Sequence, residues 1–349
     1  LKLFRAKKKP EIKRILIIRF SSIGDIVLTT PIVRTVKSRY PNAELHFLTK
    51  KNFASVSIDN PYIDQLQLLD DDNSITIEAL KQLKFDYIVD LQKNLRSRRI
   101  VKALNTRHAS FPKLNVRKWM YTNFKINTLP NKSIVERYFE AVKEIGVVND
   151  GQGLNFHIPE EKQTQQDDIP MSHWAGFVGC VIGGSFATKQ LPVTQWQTFA
   201  THCPYPIVLL GGPEDRKAGE LIANANPGKI YNACGKFNLI ESADLVRRAR
   251  VVVSNDTGLM HIAAAFKKPM VSIWGNTTPQ MGMFPYYGYN DLEKNIAPQL
   301  EFSEVQHLSC RPCSKLGHHQ CPKKHFKCMQ QQDMLAVVDK VTKLWKWQQ

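Results

Sequence analysis

The chain has 349 residues, 43% of them hydrophobic and 23% charged, an ordinary globular balance with length enough for two domains. It holds no run of 18 or more apolar residues, and no secretory apolar region follows the basic stretch Leu1–Pro10, so the cytoplasm is the expected compartment. Most of the net charge of +17 falls within residues 1–150, which points to a phosphorylated substrate or an anionic lipid surface unless it serves solubility alone; RNA-binding aromatic motifs and paired-histidine zinc fingers are missing, so nucleic acid is not the expected partner.

Lys13 to Phe20 reads as a short buried strand with a basic start. Ser21 to Asp25 breaks it, and Ile26 to Tyr40 carries Val27, Thr30, Val33 and Val36 at helical spacing, with Pro41 as the stop. Ala43 to Thr49 and Asp86 to Leu91 read as further strands. Residues 107–133 are basic and irregular, and Ile134 to Gly146 reads as an amphipathic helix closed by its glycine. The polar segment Asn149–Asp168 suggests a boundary, with residues 1–160 as one domain and 161–349 as the other.

The pattern then restarts. Strands are expected at Gly176–Ile182, Ile207–Leu210, Val251–Ser254 and Met270–Trp274, and helices at Pro192–Thr201, Glu241–Arg250 and Leu259–Ala265. Alternating strands and helices predict an α/β chain of two doubly wound, Rossmann-like parallel domains facing a cleft. Ligands of such sheets bind beyond the carboxyl ends of the strands, so the loops there are where chemistry is sought.

Four strand-end loops stand out. Ser22, Gly24 and Asp25 place a carboxylate at a strand-to-helix turn, where it either caps the helix or acts as a base on a hydroxyl. Ser185, Thr188 and Lys189 follow the Gly183-Gly184 turn, whose backbone N–H groups and single ammonium suit a diphosphate, although the P-loop order is absent. Glu214 follows a third strand, where an acidic residue either holds a ribose or is merely solvated. Asp256, Thr257 and Gly258 follow a fourth strand and lead into the helix at Leu259, whose free N–H groups and dipole favour an anion. His261 lies one turn into that helix, where packing is the commoner role for a lone histidine. The spacing Cys310-x2-Cys313-x7-Cys321-x6-Cys328 leaves three readings open: a structural zinc, a disulfide pair, or reduced thiols.

Taken in order, the segments 15–41 (ILIIRFSSIGDIVLTTPIVRTVKSRYP), 183–196 (GGSFATKQLPVTQW), 209–215 (LLGGPED) and 252–279 (VVSNDTGLMHIAAAFKKPMVSIWGNTTP) resemble glycosyltransferase family 9, the ADP-heptose:lipopolysaccharide heptosyltransferases. The Cys-rich tail resembles that of many members. One departure is Ile182-Gly183-Gly184, where many members have Pro-Gly-Ala. The resemblance implies a GT-B fold and transfer with inversion, without a metal or other cofactor, from ADP-heptose to an acidic or phosphorylated glycolipid of the lipopolysaccharide inner core at the inner-membrane surface. It implies Asp25 as the base, with Ser22 and Gly24 in the acceptor-side loop, and Lys189 as the cation that neutralises the departing diphosphate. Ser185, Thr188, Thr257, Gly258 and His261 would line the donor side, Asp256 would meet the donor near its sugar, and Glu214 would hold the ribose. Arg96, Arg98 and Arg99 are candidate acceptor contacts. The alternatives are a GT-B enzyme for another nucleotide sugar, an epimerase, and a basic membrane- or nucleic-acid-binding protein without catalysis.

Overall fold

Short β-branched runs that can be covered on both faces become parallel strands. The computed structural model describes residues 11–71, 73–288 and 298–347, so the basic stretch Leu1–Pro10 lies outside the described residues. Strands β1 (Arg14–Ile18), β2 (Glu44–Lys50), β3 (Gln65–Leu69), β4 (Tyr87–Asp90) and β5 (His108–Ser110) form a parallel sheet in the order β3-β2-β1-β4-β5. A second parallel sheet, in the order β11-β10-β9-β6-β7-β8, is built from β6 (Val178–Val181), β7 (Ile207–Leu210), β8 (Ile230–Asn232), β9 (Val251–Asn255), β10 (Met270–Trp274) and β11 (Leu300–Glu304). The alternation of strand side chains is visible in β1: Ile15 and Ile17 enter one buried cluster, Leu16 and Ile18 the other.

The helices of the first half are α1 (Ile23–Val27), α2 (Thr30–Arg39), α3 (Asn73–Gln82), α4 (Leu95–Leu104), α5 (Asn115–Phe124) and α6 (Ile134–Phe139). Those of the second are α7 (Val193–His202), α8 (Arg216–Ala223), α9 (Leu239–Arg248), α10 (Gly258–Ala265), α11 (Lys327–Gln330) and α12 (Met334–Trp347). Strand order reverses beside β1 in one sheet and beside β6 in the other. The loops after β1, β6 and β9 therefore open at switch points, and α1 packs against α10 across the space between the halves.

Two expected helices are corrected. The one over Ile26–Tyr40 is split, α1 ending at Val27 and α2 beginning at Thr30. Pro31 has no N–H to give Val27 O, so that freed carbonyl is taken by a side chain, Thr30 Oγ1 donating to it at 2.8 Å; Thr29 Oγ1 donates at 2.7 Å to Ile26 O, which also accepts the Thr29 N–H. The helix over Ile134–Gly146 is regular only as α6. Beyond it the chain tightens into i to i+3 bonds and a 3-10 turn at Lys143–Ile145, while the Tyr40 hydroxyl donates to Ile145 O at 2.6 Å. The segment 107–133, read as irregular, contains β5 and α5.

The linker is strapped to both halves. Arg34 of α2 holds both oxygens of Asp150, at 2.8 and 2.9 Å, and donates to Asn155 at 2.8 Å. Further on, Thr164 Oγ1 donates to Asp244 of α9 at 2.6 Å.

Candidate active site

α1 starts where β1 ends, and Asp25 in its first turn is held from both sides. Arg19 reaches Asp25 Oδ1 at 2.5 Å, and the Ser22 N–H and hydroxyl donate to Oδ2 at 3.3 and 3.0 Å. Arg19 is itself buried, donating to Leu91 O at 2.6 Å, Ser21 O at 3.0 Å and the Tyr138 hydroxyl at 3.1 Å. Burial alone would raise the Asp25 pKa; the Arg19 guanidinium and the Ser22 donors outweigh it and hold the carboxyl below the usual carboxylate range. The side chain keeps 24% of its surface exposed, so the fixed carboxylate still faces the cleft.

Across the cleft, Lys189 Nζ lies 2.6 Å from Asp256 Oδ2, which also accepts from Thr277 Oγ1 at 2.9 Å. Asp256 therefore does not cap α10. Thr257 occupies the N-cap position, but its hydroxyl makes no capping bond and is buried without a partner. The first-turn N–H groups of α10 are left for whatever enters the cavity. His261 is buried in the same place with Nδ1 unpartnered; burial, only partly offset by Asp256 and Asp25, pulls it down to about 4, so the ring is neutral near pH 7.

These groups share one cavity of about 570 Å³. Ser22, Gly24 and Asp25 line it from the first half; Ser185, Lys189, Asp256, Thr257, Gly258 and His261 line it from the second. The glycines allow this approach. A Cβ on Gly24 would stand 2.5 Å from His261 Cδ2, and one on Gly258 would stand 2.7 Å from Ile23 Cγ2.

Five of the expected contacts lie elsewhere. Thr188 is buried and turned to the Cys-rich loop: its hydroxyl donates to His318 O at 3.1 Å and accepts from His318 N at 2.8 Å. Glu214 is exposed in a 3-10 turn outside the cavity lining, while its neighbour Asp215 is buried and accepts the Gly212 N–H at 2.9 Å. Arg96, Arg98 and Arg99 lie on α4 away from this cavity, and Arg98 lines a second one beside Asp90 and Lys93. In their place the cavity has Lys113, Lys118 and Lys315, none of which forms an ion pair among the described residues. Burial, then Arg137, lowers Lys118 to about 7, with Lys315 and Lys113 adding to the effect and Asp25 opposing it. Unbalanced ammonium groups in one enclosure are a site for an anion.

The Cys-rich loop completes the wall. Cys310, Cys313, Cys321 and Cys328 are free thiols, so the disulfide reading is not realised. Cys310 Sγ lies 3.8 Å from His325 Nε2, but among the described residues no three His, Cys, Asp or Glu side chains are grouped to hold a metal ion, so the zinc reading has no assembled ligand set. The loop is held by protein contacts instead. Arg311 donates to Gly275 O at 2.5 Å and Val305 O at 2.8 Å, and pairs with Glu304 at 2.9 Å. From the first half, Lys125 at the end of α5 donates to Cys310 O at 3.2 Å and Pro312 O at 2.8 Å.

The sequence profile of glycosyltransferase family 9 (heptosyltransferase) matches residues 76–314. The chain belongs to glycosyltransferase family 9. The lipopolysaccharide heptosyltransferase 2 of Salmonella typhimurium is 24% identical over 293 residues, 76% of this chain and 84% of that protein. A glycosyltransferase family 9 structure from Veillonella parvula superposes with a TM-score of 0.72 at 20% identity, covering 97% of this chain and 98% of that one. An E. coli heptosyltransferase solved with ADP gives a TM-score of 0.62 at 18% identity, covering 95% and 99%. The fold is GT-B, as in the structures of the family, and the chain is a glycosyltransferase. No helix among the described residues is long and apolar enough to cross a membrane.

Proposed function

We propose that this family 9 enzyme moves a heptose from ADP-heptose to an acidic or phosphorylated glycolipid acceptor of the lipopolysaccharide inner core, with inversion and without a metal. The observation that carries the reading is the confrontation across one cavity of a fixed carboxylate, Asp25, with an ammonium, Lys189, and the uncapped N-terminus of α10. The donor's diphosphate is taken to lie on the Lys189 side, with Ser185 and the N–H groups at Thr257 and Gly258 beside it and Asp256 near the sugar. The acceptor oxygen attacks the anomeric carbon from the opposite face, its proton passes to Asp25, and the bond to the diphosphate breaks with its electron pair leaving on ADP. A carboxylate below its ordinary pKa is ionised throughout neutral pH and takes the proton late, once the attacking oxygen has turned acidic. Lys189 and the helix N-terminus stabilise the charge that develops on the leaving group.

In this reading residues 1–160 receive the acceptor and residues 161–349 the donor. Lys113 and Lys118 of the first part, with Lys315 from the Cys-rich loop, meet the acceptor's anionic group. The enzyme works in the cytoplasm against the membrane that carries that acceptor, with no nucleic acid partner. An ADP-bound E. coli relative supports the choice of nucleotide.

The test is calorimetric titration of the full chain with ADP, UDP and GDP in metal-free buffer, for wild type and Lys189→Ala. Binding of ADP that depends on Lys189 is expected. Preference for UDP or GDP would assign a different nucleotide sugar, and a protein that binds none of them would not be the enzyme proposed.

A further inference from the structure

From Leu91 to Val135 the chain has eleven Lys and Arg residues and not one Asp or Glu. In the middle of this run stands α5, a ten-residue helix none of whose residues is buried. Three of its apolar side chains face outward, Val116 at 71% exposed, Trp119 at 56% and Phe124 at 60%, and Ile126 just beyond is 50% exposed. Trp119 and Phe124 meet edge to face, with ring centroids 5.3 Å apart, on the surface and not in a core. Leu316 is also exposed, on the loop that Lys125 fastens to the end of α5. A contiguous apolar patch on an otherwise charged surface marks an interaction site.

We infer that α5 is a landing surface for an anionic lipid bilayer. Two observations choose this occupant. Aromatic rings flanked by Lys and Arg suit the layer where acyl chains meet headgroups: the rings enter the apolar boundary and the cations stay with the phosphates. A second copy of the chain would bring the same acid-free run against itself, and like charge opposes that contact. The position of the helix adds a third. Asn115 and Lys118 of α5 line the cavity, so a membrane under Trp119 and Phe124 lies at its mouth. A lipid-borne acceptor could then enter with only its headgroup leaving the bilayer. The inference shares with the proposed function only the expectation of such an acceptor, and it is read without sugar transfer.

The experiment is co-sedimentation of the full chain with vesicles of phosphatidylethanolamine and phosphatidylglycerol, and with vesicles of phosphatidylcholine alone. Wild type should bind the anionic vesicles, less so as salt rises, and bind phosphatidylcholine weakly. Trp119→Ser/Phe124→Ser should lose about tenfold or more in vesicle affinity, as expected for two aromatic side chains that no longer leave water. Both side chains are exposed, so its circular dichroism and its ADP affinity should match wild type. In vesicles with brominated acyl chains, wild-type fluorescence should be quenched more than that of Trp119→Phe. Equal binding of the double variant to anionic vesicles would overturn the inference, as would equal wild-type affinity for both lipid compositions. Concentration-dependent dimerisation that the double variant abolishes, without vesicle binding, would also overturn it and give the patch to a second copy. ADP binding tests the enzymatic reading separately, so the two can fail independently.

Discussion

Both oxygens of Asp25 are engaged, Oδ2 by the Ser22 N–H and hydroxyl together and Oδ1 by Arg19 alone, so the lone-pair capacity left for an acceptor hydroxyl is on Oδ1. Asp25→Asn keeps the size and removes the basicity. It is expected to lower kcat by about 10²- to 10⁴-fold with ADP affinity unchanged, as calorimetry and turnover on one preparation would show. Turnover within a few-fold of wild type would remove Asp25 from the base role. Lys189→Ala withdraws a charge-assisted contact and leaves Asp256 without its cation; about ten- to hundredfold weaker ADP binding is expected. Lys118 gives a pH signature. Burial and its cationic neighbours put it at about 7, so it is charged below that pH and neutral above it. The acceptor KM should therefore rise from about pH 6 to about pH 8, and Lys118→Arg, charged throughout, should flatten the profile. A slope unchanged in that variant would assign the dependence to another group. Asp25, Lys189 and Asp256 could be read from the sequence because each follows a recognisable strand. Lys118 and Lys315 could not: they lie far apart along the chain, and a lysine in a basic run reads as solvated until the fold encloses it.

At the scale of elements, α1 and α10 meet through glycine. Gly24→Ala would put a methyl group 2.5 Å from His261 Cδ2, a contact relieved only when the buried His261 ring turns or one helix moves. The substitution is expected to cost about 1–3 kcal/mol of stability, as other overpacked contacts do, and to separate Asp25 from the donor loops. Denaturant melts and turnover would check both, and a fully active, equally stable variant would show that the helices part freely. The strands that could be read closely are those buried along their whole length: β7 and β10 begin and end where their apolar runs do. The edge strands β3 and β5 carry exposed or half-buried residues, so they offer the sequence no continuous apolar signal. The break before α2 is hidden in the sequence because Pro31 sits in a pattern that is helical on both sides. Only the Thr30 hydroxyl that covers the freed Val27 carbonyl reveals why the chain can afford the interruption.

At the scale of the molecule, the two sheets and the cleft between them follow from a strand–helix rhythm that stops and restarts, which is why the architecture could be read before the details. The lie of the Cys-rich loop could not be, since its anchors are backbone carbonyls held by Arg311 and Lys125. ADP at about 100 times its dissociation constant should stabilise the native state by about 2.7 kcal/mol, seen as a higher Tm, and Lys189→Ala at the same concentration should show less. A Tm indifferent to ADP in wild type would contradict nucleotide binding by the folded chain.

Lys125 carries one further consequence. It caps the end of α5 in the first half, while the carbonyls it holds belong to the second, so it is a pin that exists only while the two halves are together. Anything that favours the pinned arrangement from one side must favour it from the other by the same factor, because coupling between two binding events is reciprocal. If α5 meets the bilayer in this arrangement, a bound nucleotide tightens the hold on lipid and lipid tightens the hold on nucleotide. The enzyme in free solution would then show a weaker grip on its donor than the same enzyme at rest on a membrane.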